Sequence, residues 1–456
     1  MSATSLLPSI AEELALFAAV GFFIFALDDL LVDLLYFTRR LWRHATVYRR
    51  YPRAFAQTIE KADQPGWMAV FIPAWDEAGV IADMLRATLG RFGQGDYRLF
   101  VGHYPNDPRT ARAIRSVEDD RVIAVELPHD GPTTKADCLN HLYRALLDEE
   151  RARGIPAKAV ILHDAEDVVH PMELPLFDRL IDRAGAIQLP VVPLLDPAST
   201  WVAGHYCDEF AESHGKDLVV REAVGAAVPL AGVACAIRRD GLSAIAEAQQ
   251  GRPFDADSQT EDYELGLRLG ARGLRTIFVR IPAMPGDEAK VASRGHFPGH
   301  FSAAVRQKAR WIGGIAFAGW DRLGWRGGWG ERWMRLRDRR GPLAALLLLA
   351  GYGALLLWSQ LWIAAQLGAP VMPDVSPLLG WLLVANALLL TWRVAMRALF
   401  TTMTYGPVQG LLAIPRLIVG NVIAIFAAWR ALRHHLSRRP RGWDKTDHVF
   451  PKEYVA

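Results

Sequence analysis

Residues 343–367, LAALLLLAGYGALLLWSQLWIAAQL, run for 25 residues without a charge. At about 1.5 Å of rise per residue, a helix of that length crosses a hydrocarbon core of about 30 Å. The rest of the chain must therefore be arranged around a membrane crossing. Arg332, Arg335, Arg337, Arg339 and Arg340 precede the run, so the positive-inside rule puts this end in the cytoplasm. A second apolar segment begins at Pro377 and reaches Trp392; Arg393 and Arg397 are expected to snorkel to the interface if the helix continues to Phe400. The joining GAPVMPDVS carries no Lys or Arg and is expected to lie on the extracytoplasmic side.

Two weaker apolar regions flank these. Leu14 to Leu27 is followed by Asp28, Asp29 and Asp33 and then by Arg39, Arg40 and Arg43. Glu12 and Glu13 stand where a signal peptide would carry basic residues, so the reading is a retained membrane helix, amino end outside, with its acids against protein or near the interface. Residues 410–429 carry Pro415 and Arg416 near the middle, with Arg430, Arg433, Arg438, Arg439 and Arg441 behind them. A crossing there would export that basic tail. The expectation is an interfacial or re-entrant pair of short helices on the cytoplasmic side, with a fourth span as the alternative. The organisation read from these features is a membrane helix with a basic juxtamembrane segment over 1–45, a cytoplasmic domain over 46–300 and interfacial helices over 301–340. A transmembrane hairpin over 341–400 and the carboxy-terminal interfacial part over 401–456 complete it.

Hydrophobic residues make up 51% of the 456, which is high for a purely soluble protein. The net charge of +3 is unevenly placed, with arginines crowded beside apolar segments, a pattern that suits anionic membrane lipid rather than nucleic acid. Cys138, Cys207 and Cys235 are odd in number and widely spaced, which implies neither a disulfide framework nor a metal knuckle.

Between residues 67 and 170 strands and helices alternate. WMAVFIP ends at Pro73, and Asp76 and Glu77 precede a helix with Val80, Ile81, Leu85 and Leu89 at helical spacing. YRLFVGHYPND ends in Asp107; a strand over 121–127 and a polar loop lead to a helix from Lys135 to Leu147. VILHDAED follows as the fourth strand. This rhythm predicts a doubly wound α/β sheet, whose crevice lies at the strands' carboxyl ends. Asp164 and Glu166 fall at that end, where carboxylate oxygens suit Mg²⁺ or Mn²⁺ against a diphosphate. A helix cap or a solvated turn is the plainer explanation of such acids.

Three later stretches complete what a transferase needs. TEDYELGLRL opens a helix with Thr260 as N-cap and Glu261 and Asp262 in its first turn, where Asp262 could serve as a general base or merely as part of a capping cluster. PLAGVACAIRRDGL offers small residues that let backbone approach a sugar or pack a strand. QKARW places Gln307, Arg310 and Trp311 on one helical turn: a fork for a diphosphate and a flat apolar face for a sugar ring, or an anchor in the bilayer surface.

Taken in order, PAWDE, KADCLN, DAE, TED and QKARW resemble the motifs of the membrane-bound family 2 glycosyltransferases, the group that includes cellulose and hyaluronan synthases. The resemblance covers residues 67 to about 320. Two segments depart from it: the usual Asp-x-Asp is Asp164-Ala165-Glu166, and YPNDPRT stands in place of an Asp-Asp-Gly segment, leaving Asp107 as its counterpart. YPNDP, HDAEDVVHP, TTMTYGPVQGLLAIPR and WDKTDHVFP are similar to the bacteriophage-adsorption protein B subgroup, whose members commonly carry a later cyclic-di-GMP-binding domain. No such segment occurs among these 456 residues, and that regulation is not expected here.

The resemblance implies a GT-A-like fold with a mixed sheet, a UDP-sugar donor and an inverting transfer. Pro73, Glu77 and Asp107 would contact the nucleotide, and Lys135 would sit near the diphosphate. Asp164 and Glu166 would hold the metal, Asp262 with Glu261 beside it would supply the base, and Gln307, Arg310 and Trp311 would bind the leaving diphosphate and the acceptor. The expected activity is synthesis of a bacterial surface polysaccharide at the inner membrane, with a growing glycan as acceptor and an outer-membrane export partner. The alternatives are a single transfer to a lipid-linked acceptor and a non-catalytic membrane scaffold for an outer-membrane partner.

Overall fold

The computed structural model describes residues 3–287, 289–368, 375–437 and 448–454. Most of the GAPVMPDVS linker, Arg438, Arg439 and Arg441 of the basic tail, and the WDKTD part of the terminal motif lie outside the described residues.

The chain opens with one helix, α1 (Ala3–Arg50), longer than the apolar core of that segment required. It then enters an α/β domain: β1 (Met68–Pro73), α2 (Ile81–Phe92), β2 (Tyr97–His103), α3 (Pro108–Arg115), β3 (Val122–Glu126), α4 (Lys135–Arg153), β4 (Ala159–Leu162) and α5 (Glu173–Leu180). After β5 (Ala186–Gln188) and β6 (Val191–Pro193) come α6 (Val202–Glu212), α7 (Leu218–Ala223), β7 (Cys235–Arg238), α8 (Arg239–Ala248), α9 (Glu261–Ala271), β8 (Thr276–Phe278) and β9 (Ser293–Gly295). Then α10 (Phe301–Ile312), α11 (Gly319–Leu323) and α12 (Trp329–Arg339) lead to three long helices, α13 (Gly341–Gln366), α14 (Pro377–Tyr405) and α15 (Pro407–Ser437).

Seven strands form one sheet in the order β3-β2-β1-β4-β7-β5-β8. Neighbours are parallel except around β7, which runs antiparallel to both β4 and β5. The sheet is thus mixed, as expected, and its order reverses between β1 and β4. That reversal opens a crevice beyond the carboxyl ends of those two strands, because their following loops diverge to opposite sides. Val70 and Ile72 on one face of β1, and Ala69 and Phe71 on the other, belong to two separate apolar cores, so both faces are covered by helices.

Four helices, α1, α13, α14 and α15, are long and apolar enough to cross a membrane. The acids of α1 are packed against protein. Asp28 accepts from Trp333 Nε1 (2.6 Å) and pairs with Arg337 and Arg340, while Asp29 binds Arg337 (3.1 Å) and Arg340 (2.5 Å). Asp33 is fully buried between Lys216 and Trp392 Nε1 (2.8 Å).

Two expectations are corrected. Arg393 and Arg397 of α14 do not reach for the interface; both pair with Glu212 at the end of α6, a buried carboxylate for which they are the nearest counter-charges together with Lys216. Residues 407–437 form one continuous helix rather than two short ones. Pro415 removes a single backbone bond, and Arg416, instead of breaking the run, is buried across Gly204 on α6. It donates there to Thr200 O (2.7 Å) and lies 3.3 Å from Asp208. Further along, Ile423, Ala427 and Ala431 pack with α10 residues, and His435 stacks on Phe317, so α15 follows the α/β domain along its length.

Candidate active site

The crevice is a cavity of about 900 Å³. Ten of the eleven residues singled out from the sequence line it: Pro73, Glu77, Lys135, Asp164, Glu166, Glu261, Asp262, Gln307, Arg310 and Trp311. They come from five elements spread over about half the chain, and the topology brings them together.

Glu77 is placed by the turn after β1. Asp76 there adopts a left-handed φ of 53°, which directs its backbone N–H to Asp107 Oδ2 (2.6 Å), while Glu77 N–H donates to Thr110 Oγ1 (2.9 Å). Asp107 is the exception among the expected residues. It does not line the cavity; its carboxylate caps α3 through Thr110 N–H (3.2 Å) and pins the Asp76 turn. A short polar side chain just before Pro108 at a helix start is well suited to capping, and that local role takes precedence.

The β4 loop is organised by a buried histidine. His163 Nδ1 lies 2.9 Å from Asp167 and Nε2 lies 3.0 Å from Glu173, and Asp167 also accepts from Asp164 N–H (3.0 Å). Burial alone would lower the His163 pKa, but Glu173 and Asp167 outweigh it and hold it up to about 10. This triad turns Asp164 and Glu166 into the cavity. Lys135, the first residue of α4, bonds Asp164 Oδ1, with Asp164, Glu261 and Asp262 outweighing burial to raise its pKa.

Glu166 Oε2 is shut off from solvent and accepts no hydrogen bond; its nearest cation is His448 Nδ1 at 3.2 Å. Burial raises the Glu166 pKa to about 8, with the carboxylates of Asp164, Asp167 and Glu77 adding to the shift and His448 opposing it. An orphaned carboxylate oxygen beside a second carboxylate, in a cavity open to a ligand, fits a hard divalent cation. Asp164 and Glu166 are the residues that would hold it.

Across the cavity, α9 presents Glu261 and Asp262. Burial, reinforced by Asp262, lifts Glu261 to about 7, and burial raises Asp262 as well, against the pull of Lys135. Gly232, with φ of +73°, closes this corner: a Cβ on it would lie 2.5 Å from Asp262 Oδ2 and 3.2 Å from Lys135 Nζ. The small-residue stretch before β7 thus brings backbone close to Asp262 and Lys135. Thr260 does not cap α9 as expected. Its side chain faces Gly314, where an added Cβ would lie 2.4 Å away, and its hydroxyl has no partner.

On α10, Gln307 and Arg310 line the cavity, and Gln307 Oε1 is buried without a donor. The Trp311 ring sits edge-on to Tyr206 (6.1 Å) and near Phe210 (6.4 Å), which fixes its orientation. The helix ends in a π-helical turn over Gly313–Ala318.

Sequence reasoning missed four histidines that line the cavity, His214, His296, His435 and His448. His448 Nδ1 is 2.8 Å from Glu77 Oε1. WDKTDHVFP stood out in the sequence only as a mark of similarity; nothing in its spacing ties residue 448 to residues 77 and 166.

Residues 159–426 match the family described as Glycosyl transferase family group 2. Two Escherichia coli proteins, bacteriophage adsorption protein B and bacteriophage N4 adsorption protein B, are each 39% identical over 96% of this chain. The chain spans 62% of the length of those relatives. Among solved structures, a mannosyltransferase from Pyrobaculum calidifontis in complex with GDP-Man and Mn²⁺ superposes with a TM-score of 0.51 at 16% identity, covering 90% of this chain and 99% of its own. That likeness shows the fold. With more than half of its residues inside the family match and a sheet, crevice and motif set to go with it, the chain belongs to the family 2 glycosyltransferases.

Proposed function

We propose that this chain transfers a sugar from a nucleoside-diphosphate donor to an acceptor hydroxyl at the cytoplasmic face of a bacterial inner membrane, with inversion, building a surface polysaccharide. The observation that carries this reading is the convergence of ten motif residues on one cavity of about 900 Å³, walled by α10 and set beside helices of membrane-spanning length. Glu77 and Pro73 border the nucleotide end. Asp164 and Glu166 would hold Mg²⁺ or Mn²⁺, which when bound neutralises charge on the diphosphate.

Asp262 takes the proton of the acceptor hydroxyl as its oxygen bonds the anomeric carbon; the bond to the donor phosphate breaks, and its electron pair leaves with the nucleoside diphosphate. A pKa raised by burial suits a base working near neutral pH. Lys135 and Arg310 place positive charge where the leaving group accumulates negative charge, and the fork of Arg310 can engage two oxygens at once. Trp311, held by Tyr206 and Phe210, offers a sugar ring a fixed apolar face.

UDP is the nucleotide implied by the motif resemblance. Purified protein in detergent should release UDP from one member of a UDP-sugar panel and leave GDP-sugars intact. Turnover should vanish with EDTA and return with Mg²⁺ or Mn²⁺; release of GDP instead would overturn the nucleotide assignment, and undiminished turnover after rigorous chelation would overturn the roles of Asp164 and Glu166. Long radiolabelled polymer would support a processive enzyme, and a single lipid product would support one transfer to a lipid-linked acceptor.

A further inference from the structure

A second group of metal-binding side chains lies outside the cavity, where the loop after β3 enters α4. His129 is on that loop, and Asp137 and His141 follow on α4, one turn apart and on one face of the helix. His129 Nε2 lies 3.0 Å from Asp137 Oδ2, and His141 Nε2 lies 3.9 Å from Asp137 Oδ1. The two imidazoles meet edge to face, with ring centroids 5.4 Å apart. One nitrogen from each ring and one carboxylate oxygen all fall within 4.8 Å of one another, a spacing that lets the three share an ion. None of these three side chains lines the cavity.

We propose that His129, Asp137 and His141 form a second metal site, one that takes Zn²⁺ with water in the fourth position. Two imidazoles and a carboxylate suit zinc better than magnesium, which prefers oxygen ligands and keeps its water. Two features argue for a site rather than a surface ion pair. The carboxylate is oriented from behind: Thr133 Oγ1 donates to Asp137 Oδ2 (2.8 Å) and is itself bonded to the hydroxyl of the buried Tyr104 (2.7 Å). Such outer partners are what fix a metal-binding carboxylate. The two rings also converge on one carboxylate although only His129 is bonded to it, His141 lying beyond hydrogen-bond reach. Side-chain exposures of 42%, 26% and 14% for His129, Asp137 and His141 leave an ion a way in from solvent. On its other side the loop is held by Asn106, which exchanges two bonds with the Gly131 backbone, both 2.8 Å. An ion at this site clips the loop to the first two turns of α4. It thereby staples the element that carries Lys135, whose ammonium bonds Asp164, without entering the cavity.

The test uses the whole chain in detergent, freed of metal by chelation, with Zn²⁺ alone as ligand and Co²⁺ as its visible reporter. Co²⁺ should give the intense d–d absorption of a four-coordinate site, and added Zn²⁺ should bleach it. His129→Gln and His141→Gln should each lose that absorption, whereas Asp164→Asn should keep it. Thr133→Val keeps all three ligands and removes only the hydroxyl behind Asp137; it should weaken Zn²⁺ binding by roughly 10–100-fold, the range for outer-shell partners, and loss of either imidazole should weaken it by more. Zn²⁺ should raise the melting temperature of the unaltered protein and of Asp164→Asn but of neither histidine variant, while the metal-free melting temperatures of the histidine variants match that of the unaltered protein. Equal Zn²⁺ affinity in the unaltered protein and in either histidine variant would overturn the proposal. So would Co²⁺ absorption that is lost in Asp164→Asn and kept in both histidine variants, which would put the ion in the cavity.

Discussion

Asp262 and Glu261 are adjacent acids in one helical turn, and burial acts on both. They differ in surroundings: the Asp262 carboxylate, the proposed base, has Gly232 and Lys135 Nζ at its side, whereas Glu261 is 6% exposed. Asp262→Asn should therefore lower kcat by about 10²–10⁴-fold, the usual range for removing a general base, with the melting temperature little changed. A rate near that of the unaltered protein would remove Asp262 from the chemistry. The His163 triad makes a prediction in the other direction, on stability. Its folded pKa of about 10 lies above the unfolded value near 6.5, so its contribution is fully present below pH 6.5 and is lost as pH rises through about 10. Chemical denaturation in detergent should show stability falling over that window, and the fall should be absent in His163→Phe. Asp164, Glu166 and Asp262 were legible because each sits in a short motif. The support beneath them was not, since the bond from His163 to Glu173 spans ten residues and the room that Gly232 leaves for Asp262 is a matter of missing volume.

The elements that were easiest to read are those with a period. β1, β4 and α4 follow from apolar runs and helical spacing, although α4 extends to Arg153 where the apolar pattern pointed to Leu147. The helix α15 was misread because a proline and an arginine inside an apolar run look like a break. In the fold they are tolerated for a tertiary reason invisible to local pattern: Asp208, more than 200 residues earlier, waits for the guanidinium. Burial raises the Asp208 pKa to about 6 in spite of Arg416, so this carboxylate is poorly solvated and depends on its partner. Arg416→Met should destabilise the protein by about 3–5 kcal/mol, the cost typical of leaving one member of a buried pair uncompensated. Arg416→Met combined with Asp208→Leu should recover much of that loss. A thermal-shift series in detergent would measure both, and a single-variant effect under about 1 kcal/mol would mean that α15 is held to α6 by packing alone.

On the scale of the whole molecule, the α/β domain and the long helices are joined by charge as well as by apolar contact. Asp28 and Asp29 meet Arg337 and Arg340, Asp33 meets Lys216, and Glu212 meets Arg393 and Arg397. The sequence placed the acids of α1 against protein or near the interface and sent Arg393 and Arg397 to the interface, but it named no partners, because residues 181 to 312 positions apart leave no mark on local spacing. Since α1 carries its acids to the domain's own arginines, the cavity and the helices form one unit. The clasp also has a consequence in time. At about 5–20 residues per second of synthesis, α1 leaves the ribosome roughly 15–60 s before the arginines that neutralise it exist. Through that interval Asp28 and Asp29 stand on an apolar helix without Arg337 and Arg340. Nascent chains stopped before residue 329 should consequently be short-lived in cells, and Asp28→Asn with Asp29→Asn should lengthen their half-life in a pulse-chase. A half-life lengthened in that way would mean that the order in which this protein is written separates an unfinished copy from a finished one.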